Sequence, residues 1–149
     1  MKVDTILVPT DFSDDAKQAL EAAVDLAGTL GSRVVLLHAY HLDLPFTAPP
    51  IGGPLILPDG FFVEYRNQAK LQVEAAAKEA AAGGCDVTGI AIERPAWEAI
   101  LDQAKELPAD LIVMGTRGLT GLKHLAMGST AERVVRMADC PVLTVKNTD

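Results

Sequence analysis

TILVPTDFSDDAKQALEAAVDLAGTLGSRVVLLHAY (residues 5–40) holds two apolar segments separated by a segment of a different period. TILVPTD (5–11) and RVVLLHAY (33–40) are near-continuous apolar runs with β-branched members, as strands are when both faces of their sheet are covered. Between them Ala16, Ala19, Leu20, Ala23, Leu26, Ala27 and Leu30 recur at helical spacing. Ser13 supplies an N-cap oxygen, and Asp14 and Asp15 suit the positive end of the helix dipole. Gly31 permits the left-handed turn that ends a helix. Strand, helix and strand in this order predict a parallel crossover unit.

The alternation continues outward. DVTGIAIE (86–93), DLIVMG (110–115) and PVLTVK (141–146) complete a set of five strands. A second helix over about 61–82 carries Phe62, Tyr65, Ala69, Val73, Ala76 and Ala80 on one face, and Glu74 precedes Lys78 in the favourable i,i+4 order. A third carries Trp97, Ile100, Leu101 and Ala104 and stops before Pro108, and a fourth carries Ala131, Val134, Val135 and Ala138. Helices between strands throughout predict an α/β fold with a mainly parallel sheet. The length of 149 residues fits one domain with a sizeable core, residues 1–149.

One interval breaks the rhythm. HLDLPFTAPPIGGPLILPDG (41–60) holds five prolines and three glycines, a density that neither helix nor ordinary strand survives. Twenty residues are too many for a routine connection. The segment reads as a lid over a ligand, a dimer contact or a mobile loop, and its apolar members Leu44, Phe46, Ile51, Leu55, Ile56 and Leu57 suggest that it packs against something.

Composition excludes several classes. A hydrophobic fraction of 49% with 22% charged residues is globular. No apolar run approaches the ~20 residues that span a bilayer, and the amino terminus lacks the long apolar stretch of a signal peptide, so the chain reads as cytoplasmic with no membrane partner. A net charge of −7 without a basic stripe argues against nucleic acid. Cys85 and Cys140 form no CxxC pair, against a disulfide framework or structural zinc. Cys140 reads as a small buried hydrophobe, and Cys85, in a GGCD turn, as partly exposed.

The segment with chemistry is GTRGLTGLKHLAMGST (115–130), which runs from a strand end to a helix start. Its spacing is Gly115, two residues, Gly118, nine residues, Gly128, then Ser129. N–H groups at a helix start lack intrahelical partners, and the dipole places roughly half a positive charge there. Glycines let such a backbone approach phosphate oxygens, Ser129 and Thr130 add hydroxyls, and Arg117 and Lys123 add charge. These parts make a phosphate cradle. A blander reading stands beside it, because Ser129 followed by Glu132 also matches a capping box that needs no ligand. His124 reads as a solvated loop residue.

Pro9, Thr10 and Asp11 sit at the carboxyl end of the first strand. In open α/β sheets ligands bind beyond the carboxyl ends of strands where strand order reverses. If the first and fourth strands are neighbours, Asp11 meets the Gly115–Gly118 turn. Asp11 could then accept from a ribose hydroxyl or hold a divalent cation such as Mg2+ beside phosphate, or it could simply open the helix beside Ser13.

ILVPTDFS, DLIVMGTRG, the Gly-x2-Gly-x9-Gly-Ser spacing and ADCPVLTVK together resemble the ATP-binding branch of the universal stress protein family, in order and over nearly the whole chain. The resemblance implies a doubly wound five-stranded parallel sheet in order 3-2-1-4-5 with helices on both faces. It implies an adenine nucleotide (ATP, or AMP or ADP, with Mg2+) and a homodimer joined through the last strand, where Val142, Leu143 and Val145 would meet their mates. Carried over by position, Pro9, Thr10 and Asp11 match the loop facing adenine and ribose. His38, Ala39 and Tyr40 match the second strand's end, where main-chain groups contact adenine. Met114, Gly115, Arg117 and Gly118 match the ribose and phosphate turn, and Gly128, Ser129 and Thr130 the phosphate-binding helix start. Glu93, before Arg94 and Pro95, replaces a glycine common in relatives, which alters a rim contact. His38 itself reads as a satisfied structural histidine rather than a catalyst.

Neither a G-x4-GK[ST] loop nor a carboxylate pair for a two-metal mechanism is present in the sequence. The sequence therefore favours a regulatory or stress-response protein with little or no turnover. The alternatives are a slow ATPase or self-phosphorylating enzyme, and a nucleotide-independent dimeric interaction module.

Overall fold

The computed structural model describes residues 1–42, 56–119 and 127–147. Most of the proline-rich interval, together with Lys123 and His124, lies outside them. Among the described residues nine elements alternate: β1 (Thr5–Pro9), α1 (Asp14–Leu30), β2 (Arg33–Tyr40), α2 (Phe61–Ala81), β3 (Val87–Glu93), α3 (Ala96–Glu106), β4 (Leu111–Gly115), α4 (Ser129–Met137) and β5 (Val142–Val145). The five strands form one sheet in the order β3-β2-β1-β4-β5, with every pairing parallel. The first strand ends at Pro9, so Thr10 and Asp11 fall in the turn beyond it.

Local signals explain where α1 begins and ends. Ser13 Oγ accepts from the Ala16 N–H at 3.2 Å, satisfying one of the orphan donors of the first turn. Gly31 closes the helix at φ 70°, a left-handed conformation that costs glycine nothing. At the opposite end of the sheet from the site, Asp110 Oδ2 accepts from the Asp4 N–H at 2.8 Å and the Thr5 N–H at 3.0 Å, which aligns the starts of β1 and β4. These two hydrogen bonds, Thr5 first, hold the Asp110 carboxyl below its ordinary pKa.

Two cores lie on the two faces. Ile6, Val8, Val34 and Leu36 pack with Ala19 and Ala23 of α1 and Val73 and Ala77 of α2. On the other face Leu7, Val35, Leu37 and Ile112 pack with Ala99 and Ile100 of α3 and Ala131 and Val134 of α4. Alternation along each strand sends neighbours to opposite cores, as the pleat requires. Helices therefore cover both faces. The Arg133 guanidinium lies 4.9 Å from the Trp97 ring centroid and ties α4 to α3.

Three local expectations change, at α2, at Glu74 and at Cys140, while Cys85 is partly exposed as its turn suggested. The buried face of α2 is Ala69, Val73 and Ala77, and Phe62 is half exposed. Small residues suit this face because α2 lies close to β3: a Cβ on Gly89 would sit 2.7 Å from the Val73 carbonyl oxygen. Glu74 pairs with Lys70 at 3.9 Å rather than with Lys78. Both cysteines are half-buried and free. Burial, followed by the Asp86 charge at Cys85, raises that thiol's pKa, and burial is also the main cause of the rise at Cys140, so neither is disposed to form a thiolate. Among the described residues no helix is long and apolar enough to cross a membrane.

Candidate functional site

The chain proceeds from β1 outward to β2 and β3, then returns to place β4 on the other side of β1. That reversal opens a crevice beyond the carboxyl ends of β1 and β4. A cavity lies there, walled by Pro9, Thr10 and Asp11 after β1, Leu37 and Ala39 of β2, Ile100 of α3, the run Met114–Gly118 after β4, and Gly128, Thr130 and Ala131 at the start of α4. Its walls combine apolar side chains, loop backbone and threonine hydroxyls.

Asp11 joins the two halves. Its Oδ1 accepts from the Ser13 N–H at 3.0 Å and its Oδ2 from the Leu119 N–H at 2.9 Å. The first bond shapes the turn into α1, and the second draws the glycine turn of β4 across the crevice. A carboxylate offers about four acceptor positions, so two backbone donors leave capacity for a ribose hydroxyl or a cation. The helix-opening reading of Asp11 is therefore met in geometry without closing the ligand reading.

The glycines have different reasons. A Cβ on Gly115 would lie 2.9 Å from the Asp15 backbone carbon, and one on Gly118 would lie 2.5 Å from Asp11 Oδ2. Backbone leaves no room for a side chain at Gly115, whereas at Gly118 the obstacle is the end of the Asp11 side chain, which would have to swing aside. Gly128 is the exception. Its φ of −74° and ψ of 165° suit any residue, and a Cβ there would first meet the Thr116 carbonyl oxygen at 3.4 Å, close to ordinary contact. Its N–H is already given to that carbonyl at 2.6 Å, so Gly128 lends no donor, and a Cβ there would rest in ordinary contact with the backbone of Thr116 and Arg117.

Gly128, not Ser129, is the N-cap of α4, and no side-chain cap bond forms there. The capping-box expectation is corrected accordingly. Ser129 begins the helix one residue too late to cap it and is exposed, while Glu132 turns to Arg136 at 3.0 Å. Arg117 is also redirected. Its Nε lies 3.3 Å from Asp15 Oδ2, a carboxylate buried in the first turn of α1, and its Nη2 reaches the Asn147 carbonyl at 3.5 Å. Part of its charge is thus spent inside the protein.

Of the thirteen residues singled out from sequence, the cavity brings together Pro9, Thr10, Asp11, Ala39, Met114, Gly115, Arg117, Gly118, Gly128 and Thr130. Ser129 stands at its edge on the exposed start of α4. His38 and Tyr40 belong to the other face of β2, in an aromatic row with Phe12 and Tyr65. Period-two alternation along RVVLLHAY carries the signal that separates Leu37 and Ala39 from His38 and Tyr40. Leu37 and Ile100 also line the cavity, and apolar strand and helix residues of this kind have no chemical signature to mark them out; Thr116, in the turn after β4, lines it as well.

A model described as "Universal stress protein family" matches residues 2–146. The chain belongs to the universal stress protein family. It is 37% identical over 146 residues to universal stress protein YxiE of Bacillus subtilis, covering 95% of this chain and 97% of that one. Universal stress protein UspA from Lactobacillus plantarum superposes with a TM-score of 0.78 at 26% identity, over 97% of this chain and 99% of that chain. The universal stress protein from Archaeoglobus fulgidus, solved in complex with dAMP, superposes with a TM-score of 0.66 at 25% identity, over 98% and 100% of the two chains. Strand order and family thus agree with the resemblance carried by ILVPTDFS and the Gly-x2-Gly-x9-Gly-Ser spacing.

Proposed function

We propose that this universal stress protein is a single nucleotide-binding domain that takes an adenine nucleotide at the β1/β4 crevice. ATP is the leading ligand and ADP and AMP its relatives, and the protein acts as a cytoplasmic regulatory or stress-response homodimer with little or no turnover. The observation that carries the reading is Gly128: a glycine at a helix start, facing the cavity, that neither backbone conformation nor packing requires. A phosphate approaching the first turn of α4 supplies the missing requirement. The dAMP complex of the Archaeoglobus fulgidus relative supports the same ligand class.

Roles follow from placement. Pro9, Leu37, Ala39, Ile100 and Met114 offer apolar surface suited to a purine, with Thr10 and Asp11 beside the ribose. Gly115, Gly118, Gly128, Ser129 and Thr130 serve the phosphates, and Arg117, held by Asp15, adds positive charge beside them. A Mg2+ arriving with the nucleotide would be held by phosphate oxygens and Asp11, a single-carboxylate arrangement that this cation accepts, and would neutralise phosphate charge. Asp11 is the one carboxylate among the described cavity residues, and both its oxygens already accept backbone N–H bonds. The ground for low turnover is the sequence, which carries neither a P-loop lysine motif nor a carboxylate pair for two metals.

Heat release of nucleotide from the purified protein, followed by chromatography, tests the reading. Adenine nucleotide in the supernatant is expected, together with steady-state hydrolysis well below the ~1 s⁻¹ floor of ordinary enzymes. Protein that releases none and shows no binding of added ATP would refute it.

A further inference from the structure

We infer that His38, on the sheet face away from the cavity, is a positioning residue for the nucleotide loop and acts through the Thr10 carbonyl. The inference rests on the nucleotide reading above. The β1–β2 ladder ends at the Pro9–Leu37 register pair. Thr10 then gives its N–H to the Leu37 carbonyl at 2.8 Å, and its own carbonyl lies 3.1 Å from His38 Nδ1. A carbonyl can only accept, so Nδ1 carries the proton. The imidazole takes over where main-chain pairing stops, and both backbone groups of Thr10 are held by consecutive residues of β2.

What Thr10 anchors is a tight and strained turn. The Phe12 N–H donates to Thr10 Oγ1 at 3.0 Å, and the Ser13 N–H to Asp11 Oδ1 at 3.0 Å. Phe12 has φ 62°, a left-handed value rare for an aromatic residue. Such a conformation persists only where its surroundings over-determine it. His38 provides that support as well: its ring packs against Phe12 with centroids 4.7 Å apart. Behind it Tyr40 stacks at 6.2 Å, and Tyr65 of α2 meets Tyr40 edge-on at 5.5 Å, which fixes the imidazole from the rear.

The turn then reaches across the crevice, because Asp11 Oδ2 holds the Leu119 N–H. The route runs from His38 to Thr10, to Asp11, to the glycine turn, and its last three members border the cavity while His38 does not. What the position needs is an N–H where Nδ1 stands. Asparagine can supply one there, whereas phenylalanine preserves the ring packing without the donor.

The test compares the parent, His38→Phe and His38→Asn by calorimetric titration with ATP, by melting, and by hydrogen exchange at the Leu119 amide. His38→Phe is expected to bind ATP roughly three- to tenfold more weakly, the ratio one neutral hydrogen bond commands, with faster exchange at Leu119. His38→Asn recovers both, and nitrogen NMR of the parent finds Nδ1 protonated. Parental affinity and Leu119 protection in His38→Phe would overturn the inference, whatever its melting temperature. So would a His38→Asn protein that behaves like His38→Phe. If the parent itself binds no ATP, the nucleotide reading fails, and Leu119 exchange in the same three proteins still decides the positioning claim.

Discussion

Adding one methyl group at Gly118 should destabilise the protein with no ligand present, and should do so through Asp11. The new Cβ would stand 2.5 Å from Asp11 Oδ2, closer than carbon and oxygen tolerate, and no left-handed backbone confuses the comparison. The carboxylate must swing away, which weakens the bond from the Leu119 N–H and disturbs the one from Ser13. A charge-assisted hydrogen bond is worth about 1.5–3 kcal/mol when sheltered. The Leu119 bond is exposed, which places the loss nearer about 1–2 kcal/mol. For a domain near 150 residues that is a fall of about 2–8 °C in melting temperature. The double-mutant cycle is the decisive assay. With Asp11→Ala already in place the obstructing oxygen is gone, and Gly118→Ala should cost only a few tenths of a kcal/mol, about the limit of additivity between independent sites. An equal cost in both backgrounds, or none in the parent, would refute the claim that Asp11 spans the crevice.

Two further outcomes are expected. Asp110 has its pKa depressed below the ~3.9 of the unfolded chain, so its contribution is complete above about pH 4 and lost as pH falls through the lower folded value. Asp110→Asn should therefore flatten the acid limb of a melting-temperature profile, and an acid limb identical to the parent's would contradict this. β5 is an edge strand with Leu143 43% exposed, and pairing with a second copy would cover it. Leu143→Asp with Val145→Asp should convert a dimer to a monomer in micromolar sedimentation, and an unchanged dimer would exclude this edge.

The fold was legible because its signals are redundant. TILVPTD and RVVLLHAY each carry enough apolar residues to mark a doubly covered strand, and Ser13 and Gly31 bracket α1 as their chemistry predicts. Strand order needed the family resemblance, since periodicity says which segments are strands but not which are neighbours. The site was legible as a set of loops and less so as a set of side chains. Ser129 reads as a cap until the helix is seen to begin one residue earlier than a capping serine requires, a shift below what pattern reading resolves. Arg117 has an evident charge, but its partner Asp15 lies 102 residues away, and nothing local points to it. Gly118 and Gly128 look equivalent in a motif, yet a Cβ at the first would strike the Asp11 carboxylate and one at the second would rest in ordinary contact with backbone.

That last contrast allows the central claim to be tested directly. Gly128→Val adds a branched side chain at a position whose backbone tolerates it, at a cost of about 1 kcal/mol for a poorer N-cap, or about 2–4 °C of melting temperature. Calorimetric titration with ATP, on parent and variant side by side, should show the parent binding and the variant losing most of its affinity while remaining folded. A Gly128→Val protein that binds ATP as the parent does would show that phosphates do not approach the start of α4.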